Sequence, residues 1–220
     1  LIMMHSDDDG LVLPPGLAPI HVIILPIIRS DESEAAILSQ CNDIAHQLKS
    51  KLFNGTAIRV KIDTNREKGG KRAWQWVKKG VPIRIEVGAR EAENSTVTMN
   101  LRHTPYQEKE TLSQQDFLAQ APQTLNTIQN HLFQRASQFQ KDHTAIIDSK
   151  EAFYDYFSDK NTEGNGFALT HWNGDPSIEA QIKTDLKVTI RCIPFDAPEA
   201  GTCPFSGELS PQRVVWAKAY

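Results

Sequence analysis

The chain has 220 residues, 40% of them apolar and 23% charged, with a formal net charge of −3; that is an ordinary soluble globular composition, long enough for two small domains. No run of eighteen apolar residues occurs, which excludes a membrane-spanning helix. The opening Leu1-Ile2-Met3-Met4-His5 lacks the charged start, apolar core and cleavage site of a signal peptide. Three cysteines at 41, 192 and 203, odd in number and far from any disulfide framework, point to reduced thiols in a cytosolic setting. A start on Leu inside an apolar run is what a piece of a longer polypeptide would show.

In chain order, His5 to Gly10 is an acidic turn that runs through Leu11-Val12-Leu13 into Pro14-Pro15, a stiff connection suited to a domain boundary. His21 to Ile27 is a continuous apolar run, as expected of a strand buried on both faces. Ser30-Asp31-Glu32-Ser33 offers N-cap chemistry, and Leu38, Cys41, Ile44, Ala45, Leu48 and Leu52 follow at helical spacing until Asn54-Gly55. Ala57–Ile62 predicts a second strand and Lys71–Lys79 a short helix. In Val81-Pro82-Ile83-Arg84-Ile85-Glu86-Val87, apolar and polar residues alternate at period two, predicting a third strand with one core face and one charged face. Ser95–Leu101 predicts a fourth. Alternating strand and helix imply an α/β layer with a mixed, mostly parallel sheet.

From Ser113 to Lys141 the pattern is helical, long enough to bridge two domains. A short helix opens at Ser149, a polar loop covers Asp159–Gly166, and strands are expected at Phe167–Trp172, Lys187–Pro194 and Arg213–Ala217, with a helix over Pro176–Asp185. This second, smaller α/β unit is expected to hold its core with Phe167, Leu169, Ile182, Ile190, Ile193 and Val215. No repeat or low-complexity tract is present.

Charge is unevenly placed. Between Ala57 and Glu91 there are ten Lys/Arg against four Asp/Glu, net +6, so the remainder carries −9 of the total −3. A positive island on an acidic chain suggests a polyanion partner on one surface. Arg84, Arg90 and Glu91 are expected to project from one end of the sheet. Trp74 and Trp76, at i and i+2 on a helix, face apart; one belongs to a core and the other is available to stack on a base.

Five stretches in order resemble the C-terminal half of the prolyl-tRNA synthetase family, class II, in its archaeal and eukaryotic-type branch. They are His5-Ser6-Asp7-Asp8-Asp9-Gly10-Leu11-Val12-Leu13-Pro14-Pro15, similar to the end of the third class II motif; Leu17 to Val22; Lys79-Gly80-Val81-Pro82 with Arg84, Glu86, Gly88 and Arg90; Arg191 to Phe195; and Val215 to Tyr220. The resemblance implies residues 1–18 as the tail of a catalytic domain, 19–112 as an anticodon-binding domain, 113–148 as a connecting helix and 149–220 as an appended C-terminal domain. It implies a cytoplasmic, homodimeric parent enzyme that activates proline with ATP and Mg2+ and transfers it to proline tRNA, with this chain alone inactive for want of its catalytic domain.

By the same resemblance, anticodon guanines are read by Arg84, Arg90, Glu91 and Lys109, with Lys71, Arg72 and Lys79 as a phosphate-facing surface. Arg90 stands for Lys and Glu91 for Asp, keeping only the charge. Relatives carry a base-contacting Glu where this chain has Val77, so either Gln75 or Glu91 takes that role or guanine discrimination is looser. Tyr220 matches a terminal residue that reaches toward the catalytic pocket. The four zinc-binding cysteines of some relatives fall at Asn173, Ile178, Cys203 and Ser206, so zinc binding is expected to be lost. Cys192 is expected to pack as a small hydrophobe. The alternative is a stand-alone RNA-binding module without aminoacylation, against which the acidic opening motif argues; a solvated, functionless basic island is a third reading. The reading frame upstream of Leu1 discriminates the first two.

Overall fold

The computed structural model describes residues 1–65, 69–158, 166–195 and 198–218. Its contacts divide the chain into two units, Leu1–Arg135 and Ala136–Tyr220.

The first unit opens with a small hairpin, β1 (Ser6–Asp7) and β2 (Gly10–Leu11). Then follow β3 (Val22–Ile27), α1 (Asp31–Lys49), the hairpin β4 (Leu52–Phe53) and β5 (Thr56–Ala57), β6 (Val60–Ile62), α2 (Gly69–Lys78), β7 (Ile83–Gly88), α3 (Ala89–Asn94), β8 (Thr96–Leu101), β9 (Glu110–Ser113) and α4 (Gln114–Asp142). The main sheet has the order β6-β3-β7-β8-β9, parallel across β6-β3-β7 and antiparallel across β7-β8-β9.

β3 shows why its sequence is a continuous apolar run. Val22 and Ile24 pack into a core with Ile37, Cys41, Ile44 and Leu48 of α1 and Phe117, Leu125 and Ile128 of α4, whereas Ile23 and Leu25 pack on the other face with Ala73 and Trp76 of α2. All four strand residues are fully buried. β7 shares the first face through Ile83, Ile85 and Val87. Its alternate residues, Arg84 beside Ile23 and Glu86 beside Leu25, therefore emerge on the face that carries α2.

The second unit adds β10 (Thr144–Ile146), α5 (Lys150–Phe157), β11 (Phe167–His171), α6 (Pro176–Leu186), β12 (Val188–Cys192), β13 (Pro198–Thr202) and β14 (Leu209–Lys218). The sheet order is β10-β11-β14-β12, with β13 also on β14. α5 is capped by Ser149, whose Oγ accepts from Ala152 N–H, and α6 by Asp175, which accepts from Ser177 N–H. The core differs from the sequence expectation. It is built on Phe153, Phe157, Ala168, Ile182, Val188, Val214 and Trp216, with Ile190 partly buried against it. Phe167 and Ile193 are exposed, and Leu169 and Val215 are half-buried outside it. The reason is register: Ala168 pairs with Trp216 and Thr170 with Val214, which puts small residues opposite large ones on the face under the helices. Their neighbours necessarily turn the other way. Cys192 is likewise exposed, while Cys41 and Cys203 are buried; all three thiols are free. No helix among the described residues is long and apolar enough to cross a membrane.

Candidate nucleic-acid interface

Arg84 is the organising side chain. It is only 7% exposed, and its Nη2 donates to Asn100 Oδ1 at 2.8 Å across the β7–β8 pair. Asn100 Nδ2 donates in turn to the Tyr106 carbonyl at 3.3 Å, and the guanidinium lies 5.3 Å from the Tyr106 ring centroid. Glu86 Oε1 stands 3.7 Å from Nε, yet that buried nitrogen has no hydrogen-bond partner. Burial pushes the Arg84 pKa down, while Glu86 and Tyr106 push it back; a guanidinium stays cationic regardless.

The guanidinium borders a cavity of about 340 Å3, whose walls include Ala73, Trp74, Val77, Leu101 and Tyr106 and whose lining also includes Asp9. Trp74 and Tyr106 are 44% and 55% exposed, and each ring carries a cation nearby, the Lys78 ammonium 5.9 Å from the Trp74 centroid and the Arg84 guanidinium at Tyr106. Trp76 is the core member of the tryptophan pair, its Nε1 donating to buried Asp63 at 2.7 Å.

A second pocket, of about 550 Å3, lies at the carboxyl ends of β3 and β7, the usual place for ligands on a parallel sheet. Here the structure brings together three residues expected from sequence, Arg90, Glu91 and Lys109, and adds Arg29, Ser30 and Glu86. Arg90 and Lys109 are exposed. Glu91 spends one carboxylate oxygen on the Gly88 N–H at 3.0 Å, fixing the start of α3. Arg84 does not share this pocket, because it lies mid-strand under the rim of α2 rather than at the sheet end. Glu86 touches both sites by facing Arg84 and lining the second pocket.

The expected phosphate-facing trio divides. Lys71 and Lys79 are exposed, Lys79 with its ammonium 4.3 Å above the Trp76 ring. Arg72 is a correction: it is buried, and its guanidinium donates to the carbonyls of Pro26 at 2.6 Å, Asp63 at 3.4 Å and Asn65. It ties α2 to the ends of β3 and β6 and is not available to a phosphate. Arg66, Lys68 and Tyr220 lie outside the described residues. Neither Gln75 nor Glu91 is among the described residues lining the Arg84 cavity. Asn100, Tyr106 and Asp9 were missed by sequence reasoning; the pairing of β7 with β8 was the one signal that could have found Asn100.

Residues 21–123 match the family model described as an anticodon binding domain, and residues 154–220 match the one described as prolyl-tRNA synthetase, C-terminal. The chain carries an anticodon-binding domain followed by a prolyl-tRNA synthetase C-terminal domain. Over its whole length the chain is 42% identical to proline–tRNA ligase 2 of Anaeromyxobacter dehalogenans and 39% identical to proline–tRNA ligase of Bdellovibrio bacteriovorus, covering 45% and 44% of those proteins. The crystal structure of prolyl-tRNA synthetase from Cryptosporidium parvum, complexed with L-proline and AMP, superimposes with a TM-score of 0.85 at 30% identity over all of this chain and 44% of that one. The chain thus spans less than half the length of these synthetases.

Within the synthetase C-terminal domain, the positions of the zinc cysteines are joined by hydrogen bonds. Asn173 Nδ2 donates to Glu208 at 2.6 Å, Glu208 N–H to Ser206 Oγ at 3.3 Å and Cys203 N–H to the Glu208 carbonyl at 2.8 Å. Ile178 packs against the core and offers no donor atom. Burial works to raise the Cys203 thiol pKa, but hydrogen bonds from Ser206 and nearby backbone outweigh it and lower the value. One sulfur with an isoleucine among four positions does not fit structural zinc.

Proposed function

We propose that this chain is the tRNA-reading part of a cytoplasmic proline–tRNA ligase. Residues 19–112 bind the anticodon of proline tRNA, 1–18 end the catalytic domain, and 113–148 lead to the appended domain at 149–220. The observation that carries this reading is a buried, partly unpaired guanidinium, that of Arg84, at the wall of an open cavity flanked by two exposed aromatic rings. A guanidinium fork suits guanine O6 and N7, aromatic faces accept any base by stacking, and a single-stranded loop exposes both. The second pocket adds Arg90 and Lys109 as donors and Glu91 as an acceptor for a neighbouring base. Lys71 and Lys79 serve the backbone phosphates.

ATP and Mg2+ belong to the catalytic part of the parent enzyme, which activates proline and transfers it to the tRNA and forms the homodimer. In this chain Asp7 is held by Arg102 at 2.5 and 2.9 Å, and no group of three His, Cys, Asp or Glu among the described residues is placed to hold a metal.

The test compares Arg84→Ala with Lys71→Ala and Lys79→Ala, each titrated against proline tRNA and an anticodon-changed tRNA at two salt concentrations. Arg84→Ala should cost roughly 1–3 kcal/mol, about five- to hundredfold, and relax discrimination at one base. The lysine variants should weaken both RNAs alike and lower the salt slope by about one unit each. Equal weakening of both tRNAs by Arg84→Ala, with a reduced salt slope, would make Arg84 a phosphate contact and defeat the base-reading role.

A further inference from the structure

Besides Arg84 and Arg102, the cavity's lining holds one acidic group, contributed by a distant part of the chain. Asp9 sits at the turn of the β1–β2 hairpin and lines the cavity, and its carboxylate has no hydrogen bond or ion pair among the described residues. Its position is set by the backbone around it. Asp7 holds Arg102 bidentately and accepts the Asp9 N–H at 3.0 Å. Gly10, at φ +126°, lies so close to the end of α2 that a Cβ would come within 2.7 Å of Lys78 Cα and its carbonyl oxygen. Gly80, at φ +71°, meets Leu11 equally closely, and Leu13 N–H donates to the Gly80 carbonyl at 3.2 Å. The hairpin is therefore pinned to α2 at several points, and Asp9 is held at the cavity rim.

An occupant of this cavity must offer acceptors to a guanidinium, donors to a carboxylate, and a flat body to Trp74 and Tyr106. At about 340 Å3 the cavity has the size of a small-ligand pocket, for which about 300 Å3 is the lower end. A phosphate meets the first requirement only: it offers Asp9 no donor and the rings no flat body, and the cavity's other cation, Arg102, is already held by Asp7. Among the bases, guanine alone presents two adjacent acceptors, O6 and N7, together with two adjacent donors, N1–H and the exocyclic amine. We propose that Asp9 is a specificity-determining residue of this site, accepting from N1–H and the exocyclic amine of a guanine whose other edge faces Arg84. This rests on the anticodon-binding reading and assigns to the N-terminal hairpin the carboxylate that α2, with Val77, does not supply.

Inosine lacks the exocyclic amine and is the discriminating probe. The full chain, wild type and as Asp9→Asn and Asp8→Asn, is titrated against the proline anticodon stem–loop with each anticodon guanosine in turn replaced by inosine. Wild type should lose roughly five- to hundredfold at one position. Asp9→Asn should bind the guanosine loop more weakly and show no further loss with inosine there. That weakening runs against charge, because removing a carboxylate from an RNA-facing surface otherwise tightens binding. Asp8→Asn makes the same charge change next door and should keep the wild-type discrimination. A full inosine penalty in Asp9→Asn, or identical behaviour of the two variants, overturns the proposal while leaving the anticodon reading intact. A wild type that binds the stem–loop no better than one lacking all anticodon guanosines overturns both.

Discussion

The two units solve the problem of a one-layer sheet differently. In Leu1–Arg135 both faces of the central strands are covered: apolar residues of α1 and α4 pack on one, and α2 packs on the other. α2 covers only part of its face, and polar side chains, Arg84, Asn100 and Glu86, fill the remainder. In Ala136–Tyr220 one face is sealed by α5 and α6 with an aromatic cluster in which Phe153 meets Trp216 at 5.5 Å and Phe205 at 5.0 Å. There Ser210 Oγ is paired with the Trp172 and Gln212 carbonyls and the half-buried Arg213 with Asp148 and Glu199, while Thr170 Oγ1 and Trp216 Nε1 are buried without a hydrogen-bond partner. What distinguishes Arg84 is that its guanidinium also borders an open cavity, since buried nitrogens without a partner occur as well at Arg72 and, in the second unit, at Trp216.

The largest effect should come from breaking the aromatic core. Trp216→Ala removes a fully buried ring, and a loss of about 3–5 kcal/mol is expected in chemical denaturation, with hydrogen exchange rising in β11 and β14. Retained protection there would mean that the cluster is not what holds this unit. Next, Arg72→Ala tests the buried cation that does not face RNA. It frees three carbonyls and should cost roughly 2–4 kcal/mol of stability, while the salt slope of tRNA binding stays unchanged. A slope lowered by about one would return Arg72 to the phosphate surface.

A pH titration sharpens the same contrast in the first unit. Burial, and then the Arg59 guanidinium beside it, holds the His21 pKa down to about 4 from 6.5. Protonation therefore favours the unfolded chain, so stability is full above about pH 6.5 and declines as pH falls toward 4, by on the order of 2–3 kcal/mol. His21→Phe should flatten that decline; an unchanged profile would assign it to other groups. The smallest effect is expected from chelation. With Asn173, Ile178, Cys203 and Ser206 at the zinc-cysteine positions, a strong chelator should leave the melting temperature unmoved, and elemental analysis should find well under one zinc per chain. A chelator-sensitive melt would contradict the hydrogen-bonded closure of that loop.

Several features were legible in the residue order. The unbroken apolar run at Val22–Leu25 was the pattern expected of a strand buried on both faces, and the alternation at Ile83–Val87 separated a core face from a charged one. Both follow from the two-residue period of a strand and need no knowledge of partners. Other features depended on which surface met which. Lys71 and Arg72 are adjacent cations, yet one is exposed and the other buried, because the orientation of α2 on the sheet determines which way each points. In the second unit, β11 and β14 offered apolar residues on both faces, and the Ala168–Trp216 pairing decided that Phe167 faces outward. Asp9 reaches the Arg84 cavity from 75 positions away because Gly10 and Gly80 let two backbones approach, a contact that no local spacing encodes.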